Sequence, residues 1–214
     1  MESTKLKLYV GADFISAFAM SAFVALREKQ LSFEFVAVDL KARENYQETY
    51  RDLSLTCKIP TLVHEGFALS ESSAIAEYLD ELSPGHTKLF PQDIRQRARA
   101  RQLQAWLRSD LLVVRKERPF DRVYFAKPLN PLSDEAKAAV ERLFFVADRL
   151  LEEGAEHLFG DWSIADTDLA IMLNRLLAQG DPVPARLADY VRRQWDRDSV
   201  RAWMDIARVA PVIQ

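Results

Sequence analysis

The hydrophobic pattern of this chain changes once, near residue 85, and that change limits the fold more than any other feature. Before it, short runs with strand spacing alternate with helical runs. After it, helical spacing continues to the end. Lys7 to Val10 reads as a short strand, and Ser16 to Lys29 as a helix so apolar, until its charged tail Arg27-Glu28-Lys29, that it must be buried all round. Phe33 to Val38, rich in aromatic and β-branched residues, reads as a second strand, and the polar stretch Lys41 to Tyr50 as an irregular or short helix. Thr61–Val63 and Phe67–Leu69 are joined through Glu65-Gly66, a hairpin signal. A helix follows from Glu71, with Ala74, Ile75, Tyr78, Leu79 and Leu82 on one stripe. The order β-α-β-α-β-β-α predicts an α/β domain with a small mixed sheet, followed by an all-α domain.

The Pro-Gly break at Ser83-Pro84-Gly85 divides the chain into an α/β domain over 1–83, a linker over 84–92 and a helical domain over 93–214. In the helical part the spacing predicts one long helix from Asp93 to Glu117, with Ile94, Ala98, Leu103, Trp106 and Leu107 inward, and a break at Pro128–Pro131. A helix opened by Ser133-Asp134-Glu135 follows, its acidic first turn suited to the backbone dipole. Gly160 to Asp166 introduces the next helix, with Ser163 and Asp166 at capping-box spacing. Pro184 starts another, and Asp198-Ser199 caps a last one through Trp203 and Ile206.

Acidic and basic side chains, 32 and 29, are well mixed and leave a net charge of −3. That balance predicts neither nucleic acid nor a membrane surface as partner. No apolar run reaches the roughly 20 residues of a membrane span, and Met1–Lys7 alternates charged and apolar residues, unlike a signal peptide. The single cysteine, Cys57, rules out an internal disulfide and suits a reducing cytosol, so a cytoplasmic location is expected. His64, His86 and His157 are scattered without ligand spacing, and no metal site is expected.

Three short stretches carry chemistry. Ser16 lies between a strand and a buried helix, where a hydroxyl and a helix N-terminus together can favour a thiolate; it is also an ordinary helix cap. Ile59-Pro60 precedes a strand. A cis bond there would turn the Ile59 backbone outward to pair with a peptide ligand, and a trans loop proline is the commoner alternative. In Leu69-Ser70-Glu71-Ser72-Ser73-Ala74-Ile75 a strand runs into a helix whose first turn would hold Glu71 and Ser72. Backbone donors there grip a carboxylate and Glu71 pairs with an ammonium, which suits an α-amino acid; a capped helix with an acidic first turn accounts for it equally.

In order and spacing these stretches, with Lys58-Ile59-Pro60-Thr61-Leu62 and the Gly160–Asp166 segment, resemble the glutathione transferase superfamily over essentially the whole chain. The wording is most similar to bacterial members, with a serine-type, theta- or zeta-like opening. The resemblance implies a thioredoxin-like N-terminal domain and a helical C-terminal domain, with glutathione as co-substrate and no metal. Glu71 and Ser72 would hold the γ-glutamyl end, the Ile59 backbone the cysteinyl unit, and Ser16 would act as the catalytic residue facing the thiol. Lys58 and Lys41 stand where the family often puts a basic or polar side chain against the glycine carboxylate. The resemblance also implies a homodimer and a small electrophilic or peroxide second substrate, with Trp106, Arg115, Arg118 and Tyr124 as candidates to line its pocket. Phe14 and Phe18, flanking Ser16, suit either a shield for the thiolate or core packing.

The expected function is therefore glutathione transfer by thiol activation, with glutathione-dependent peroxidase activity as an accompaniment. A non-catalytic module of the same fold is the alternative, set against the presence of Ser16, Ile59-Pro60, Glu71 and Ser72 together. A thiol-disulfide reductase is disfavoured, because no Cys-x-x-Cys is present and position 16 is not cysteine.

Overall fold

The computed structural model describes residues 6–124 and 130–209. Most of Met1–Lys7 and part of the expected break at Pro128–Pro131 lie outside the described residues. The chain forms two compact units, one running to Leu89 and taking in the chain from Asp198 onward, the other spanning Phe90–Arg197.

In the first unit β1 (Leu6–Gly11) leads into α1 (Ala17–Glu28) and back to β2 (Phe33–Val38), which pairs parallel to β1. A parallel pair requires such a crossover, and α1 fills it with a nearly continuous buried surface from Ala19 to Leu26. After α2 (Glu48–Leu53), β3 (Thr61–His64) adds antiparallel to β1, and β4 (Phe67–Ser70) antiparallel to β3. The two-residue turn between β3 and β4 puts Glu65 at φ 50° and Gly66 at φ 85°, the left-handed pair that matches strand twist in a tight hairpin. With α3 (Ser72–Leu82) packed against α1, the strand order β2-β1-β3-β4 is that of a thioredoxin-like domain.

Lys29, which ends the charged tail of α1, is wholly buried, contrary to its sequence signal. Its ammonium donates to Asp80 at 2.9 Å and to the Thr87 carbonyl at 3.1 Å, while Asp80 also accepts from the Leu89 N–H at 2.9 Å. A buried cation is tolerable only when paired and hydrogen-bonded, and here it fastens the end of the first unit onto α1 and α3.

Among the described residues, the second unit is built of helices joined by loops and contains no sheet. The long helix expected over Asp93–Glu117 is two helices, α4 (Ile94–Ser109) and α5 (Leu112–Glu117). No proline or glycine marks the break at Asp110–Leu111. Instead the Arg115 guanidinium donates to the carbonyls of Leu107 at 3.0 Å and Arg108 at 2.8 Å, holding groups at the end of α4. The inward face of α4 is Ala100, Leu103, Gln104 and Leu107, while Ile94 and Ala98 face out, Ile94 at 69% exposure. Beyond a 3-10 turn at Phe120–Val123 come α6 (Asp134–Leu150), α7 (Ile164–Leu177) and α8 (Ala185–Trp195). Every residue from Ile164 to Leu176 is buried, which makes α7 the axis of this unit.

The last helix, α9 (Asp198–Val209), was expected in the helical domain; it packs on the first unit. Trp203 stands 5.4 Å from Phe23 and 5.8 Å from Phe14 between ring centroids, and the Ser199 hydroxyl donates to Glu28 at 2.5 Å. Aromatic burial outweighs chain order here, because Phe14, Phe23, Phe33 and Phe35 form one ring cluster that Trp203 completes.

Candidate active site

The register places three segments at one end of the sheet. Thr61 opens β3 opposite Tyr9 on one side and Ser70 on the other. The C-terminal end of β1, the approach to β3 and the C-terminal end of β4 therefore share an edge of the domain. They lead to Ser16, Ile59-Pro60 and Glu71-Ser72 respectively. A Cβ at Gly11 would meet the Asp13 carboxylate at 3.0 Å, so the bare backbone at the end of β1 leaves room for that side chain.

Ser16 is the N-cap of α1, and its Oγ accepts from the Ala19 N–H at 3.3 Å. Capping uses a lone pair of the hydroxyl and leaves its proton to donate elsewhere. The first-turn N–H groups of α1 face the same way, with the partial positive charge of a helix start. Phe14 packs against Phe35 and Trp203, so core packing accounts for it, whereas Phe18 is partly exposed.

The Ile59–Pro60 peptide is cis. Lys58 and Lys41 are exposed, and Cys57 sits in the proline loop at φ 52°, its carbonyl accepting from Asn45 at 2.9 Å. Glu71 differs from expectation. It is the N-cap of α3 and not a first-turn residue, and its backbone lies at φ 73°, ψ 112°. A non-glycine residue so placed costs on the order of 1–3 kcal/mol, and such strain gathers where function demands a fixed geometry. Phe14 (φ 53°) and Cys57 (φ 52°) bring further left-handed backbone to the same end of the sheet. Glu71 is exposed, its carboxylate open to a ligand, and Ser72 is buried in the first turn of α3.

Two of the candidate acceptor residues of the second unit share neighbours: the Arg118 carbonyl accepts from Arg175 at 3.0 Å, and Arg175 lies over Phe120, against which Tyr124 packs. Arg118 is buried and committed to Asp181 through two bonds of 2.5 and 2.8 Å, and that pairing holds it above the usual arginine range. The pair ties Arg118 to the segment that leads into α8. Arg115 serves the α4–α5 break, and burial, then the charge of Arg108, push its guanidinium down. Trp106 lines a groove between α4 and α6 of about 490 Å³ with Leu103, Phe145 and Leu150. Tyr124 meets Phe120 edge-on at 5.6 Å.

Ser163 and Asp166 close the capping box of α7. The Ser163 N–H and Oγ both donate to Asp166 Oδ2, at 2.9 and 3.0 Å, while the Leu158 N–H and the Tyr190 hydroxyl donate to Oδ1, at 2.8 and 2.9 Å. Burial pushes the Asp166 carboxyl above the usual aspartate range, and these hydrogen bonds pull against it. Nothing in the sequence marks Tyr190 and Leu158, because only the fold brings them to Asp166.

A thioredoxin-like sheet whose open end carries a capping serine, a cis-proline loop and a strained acidic turn, continued into an all-helical unit, defines the two-domain glutathione-transferase class of fold. Residues 15–82 match the family described as Glutathione S-transferase, N-terminal domain, and residues 93–209 match Glutathione S-transferase, C-terminal domain. The chain belongs to the glutathione S-transferase family. It is 48% identical to a glutathione transferase homolog from Burkholderia gl BGR1 crystallised with bound glutathione, with a TM-score of 0.79 over 97% of this chain and 100% of that one. Glutathione S-transferase U10 of Arabidopsis thaliana is 34% identical over 102 residues, 47% of this chain and 43% of that protein. Glutathione S-transferase U9 of the same plant is 27% identical over 160 residues, 75% and 62% of the two. The matched stretches thus span less than two thirds of these curated relatives.

One expectation follows from the strained turn. Glu71→Gly removes the carboxylate and also the steric cost of φ 73°. Calorimetry is expected to show glutathione affinity falling at least about tenfold, the scale of one lost charged contact, with no drop in the thermal midpoint. A midpoint that falls while affinity holds would make Glu71 a structural residue.

Proposed function

We propose that this chain is a serine-type glutathione transferase of bacterial kind with a theta- or zeta-like opening, in which Ser16 activates the glutathione thiol for attack on a small electrophile. The observation that carries the reading is the state of the Ser16 hydroxyl: its oxygen is engaged by Ala19 while its proton remains available at a helix start. A free cysteine thiol has a pKa near ~8.5, and each unit of lowering corresponds to ~1.4 kcal/mol of preference for the thiolate. One hydrogen bond to a charged sulfur, together with the helix terminus, supplies roughly one to two such units.

Glu71, Ser72 and the Ile59 backbone hold the rest of the tripeptide, with Lys58 toward its glycine carboxylate. The thiolate displaces a leaving group from the electrophile, or attacks the O–O bond of a peroxide, whose leaving oxygen takes up a proton. The test is steady-state turnover of glutathione with an activated nitro-haloarene and with an organic hydroperoxide, in the parent protein and in Ser16→Ala. Loss in the variant supports the reading, and equal rates remove Ser16 from the mechanism.

Two further properties belong to the same proposal. The protein acts in the cytoplasm, consistent with its single cysteine, and among the described residues no helix is long and apolar enough to cross a membrane. It is a homodimer. In support, Leu55 is 97% exposed on the first unit, and Phe145 is 64% exposed beside the apolar α4–α6 groove of the second. Light scattering at micromolar concentration is expected to give twice the chain mass, and Leu55→Asp to shift it toward one; a monomeric parent protein contradicts the claim.

A further inference from the structure

The proline loop is held from behind by three hydroxyls, and a fourth joins them to the end of β4. Tyr50, Ser54 and Thr61 are all buried, and the Lys58 carbonyl lies 2.9 Å from the Tyr50 hydroxyl, 3.0 Å from Thr61 Oγ1 and 3.4 Å from Ser54 Oγ. Ser70, the last residue of β4, stands 2.8 Å from Ser54 and 3.0 Å from Thr61, hydroxyl to hydroxyl. A carbonyl oxygen has two lone pairs and each hydroxyl one proton. One assignment uses every proton: Tyr50 and Thr61 donate to the Lys58 carbonyl, Ser54 to Ser70, and Ser70 to Thr61. Burial pushes the Tyr50 phenol up, which keeps it a donor, and its ring is braced edge-on against Tyr9 at 5.9 Å.

The Lys58 C=O and the Ile59 N–H belong to one planar trans peptide, so they point in opposite directions. Pinning the carbonyl inward therefore aims the Ile59 N–H outward. The same hydroxyls reach Ser70, which directly precedes Glu71. From this we infer that Tyr50 and Thr61 are positioning residues for glutathione: they orient the Ile59 backbone and, through Ser70, tie it to the Glu71 turn, so that two separate contact points for the tripeptide are set by one buried web. Neither residue touches the ligand. The inference rests on the glutathione reading given above.

Tyr50→Phe keeps the ring against Tyr9 and removes one pin, Thr61→Val removes the other, and Thr61→Ser retains it. In Tyr50→Phe the glutathione Kd by calorimetry and the KM for glutathione are expected to rise about three- to tenfold, the scale of one buried hydrogen bond. The rise should be larger in Tyr50→Phe/Thr61→Val, and kcat at saturating glutathione should stay within about twofold in each, because the sulfur and Ser16 are untouched. Thr61→Ser should match the parent protein. Parent-like affinity in Tyr50→Phe, whatever its thermal midpoint, overturns the inference, as does a Thr61→Ser defect as large as that of Thr61→Val. A parent protein that binds no glutathione removes the functional reading and this inference with it, whereas a binding parent with unaffected variants removes only the inference.

Discussion

Asp166→Ala is expected to lower the thermal midpoint by roughly 6–12 °C and to leave the glutathione affinity of the folded protein unchanged. The carboxylate accepts from the Ser163 N–H and Oγ on one oxygen and from the Leu158 N–H and the Tyr190 hydroxyl on the other, all inside the second unit. Removing it strands two buried backbone donors and the buried Ser163 hydroxyl, and leaves the enclosed Tyr190 phenol only the Asp166 carbonyl at 3.3 Å. Each stranded donor costs on the order of 1–3 kcal/mol, so a total of at least about 3 kcal/mol follows. That is a large share of the roughly 5–15 kcal/mol by which a domain is stable. Because α7 is buried along almost its whole length, loosening its start loosens the contacts of α4 and α8 as well. Thermal unfolding paired with calorimetric titration decides the matter. A normal melt with lost affinity would move Asp166 from the scaffold to the site.

The second large effect is chemical. Ser16→Ala is expected to reduce turnover at neutral pH about ten- to a hundredfold, the range set by a charge-assisted hydrogen bond of ~1.5–3 kcal/mol. Affinity for glutathione should change little, since Ile59, Glu71 and Ser72 carry most of the proposed contacts. The substitution also removes the cap that receives the Ala19 N–H, which costs about 0.5–2 kcal/mol of stability. Ser16→Asp separates the two roles. A carboxylate caps a helix as well as a hydroxyl does, yet its charge opposes a thiolate beside it. Ser16→Asp is expected to melt like the parent protein and to turn over no better than Ser16→Ala. Full activity in the aspartate variant would leave the serine with a capping role alone.

Local pattern made part of this legible in the sequence. Apolar spacing and turn residues identify the sheet elements, the hairpin and the helices, because each reflects a face that must be buried within a few residues of chain. The Ser163–Asp166 pair is readable for the same reason. What could not be read depends on partners far along the chain. Lys29 looks like part of a solvated tail, and only Asp80 and Thr87 make its burial tolerable. The break between α4 and α5 carries no proline or glycine; it is stabilised by Arg115 reaching back to two carbonyls. Trp203 draws α9 onto the first unit through aromatic rings nearly 170 to 190 positions earlier in the numbering. In the candidate site the residue types were legible and the backbone was not: Glu71 was expected in a first turn, and its φ of 73° appears only once β4 and α3 are joined. The hydroxyl web of Tyr50, Ser54, Thr61 and Ser70 carries no sequence signal, since such residues are unremarkable until the fold brings three of them to one carbonyl and the fourth onto two of those three.

Activation of the thiol by Ser16 is the central claim, and ultraviolet thiolate absorbance of glutathione, titrated against pH with saturating protein, tests it most directly. The bound thiol is expected to titrate with a midpoint about one to two units below the free value of ~8.5. In Ser16→Ala the midpoint should return toward that value. A midpoint that is the same free and bound, or one that is lowered equally in the parent protein and in Ser16→Ala, would contradict it.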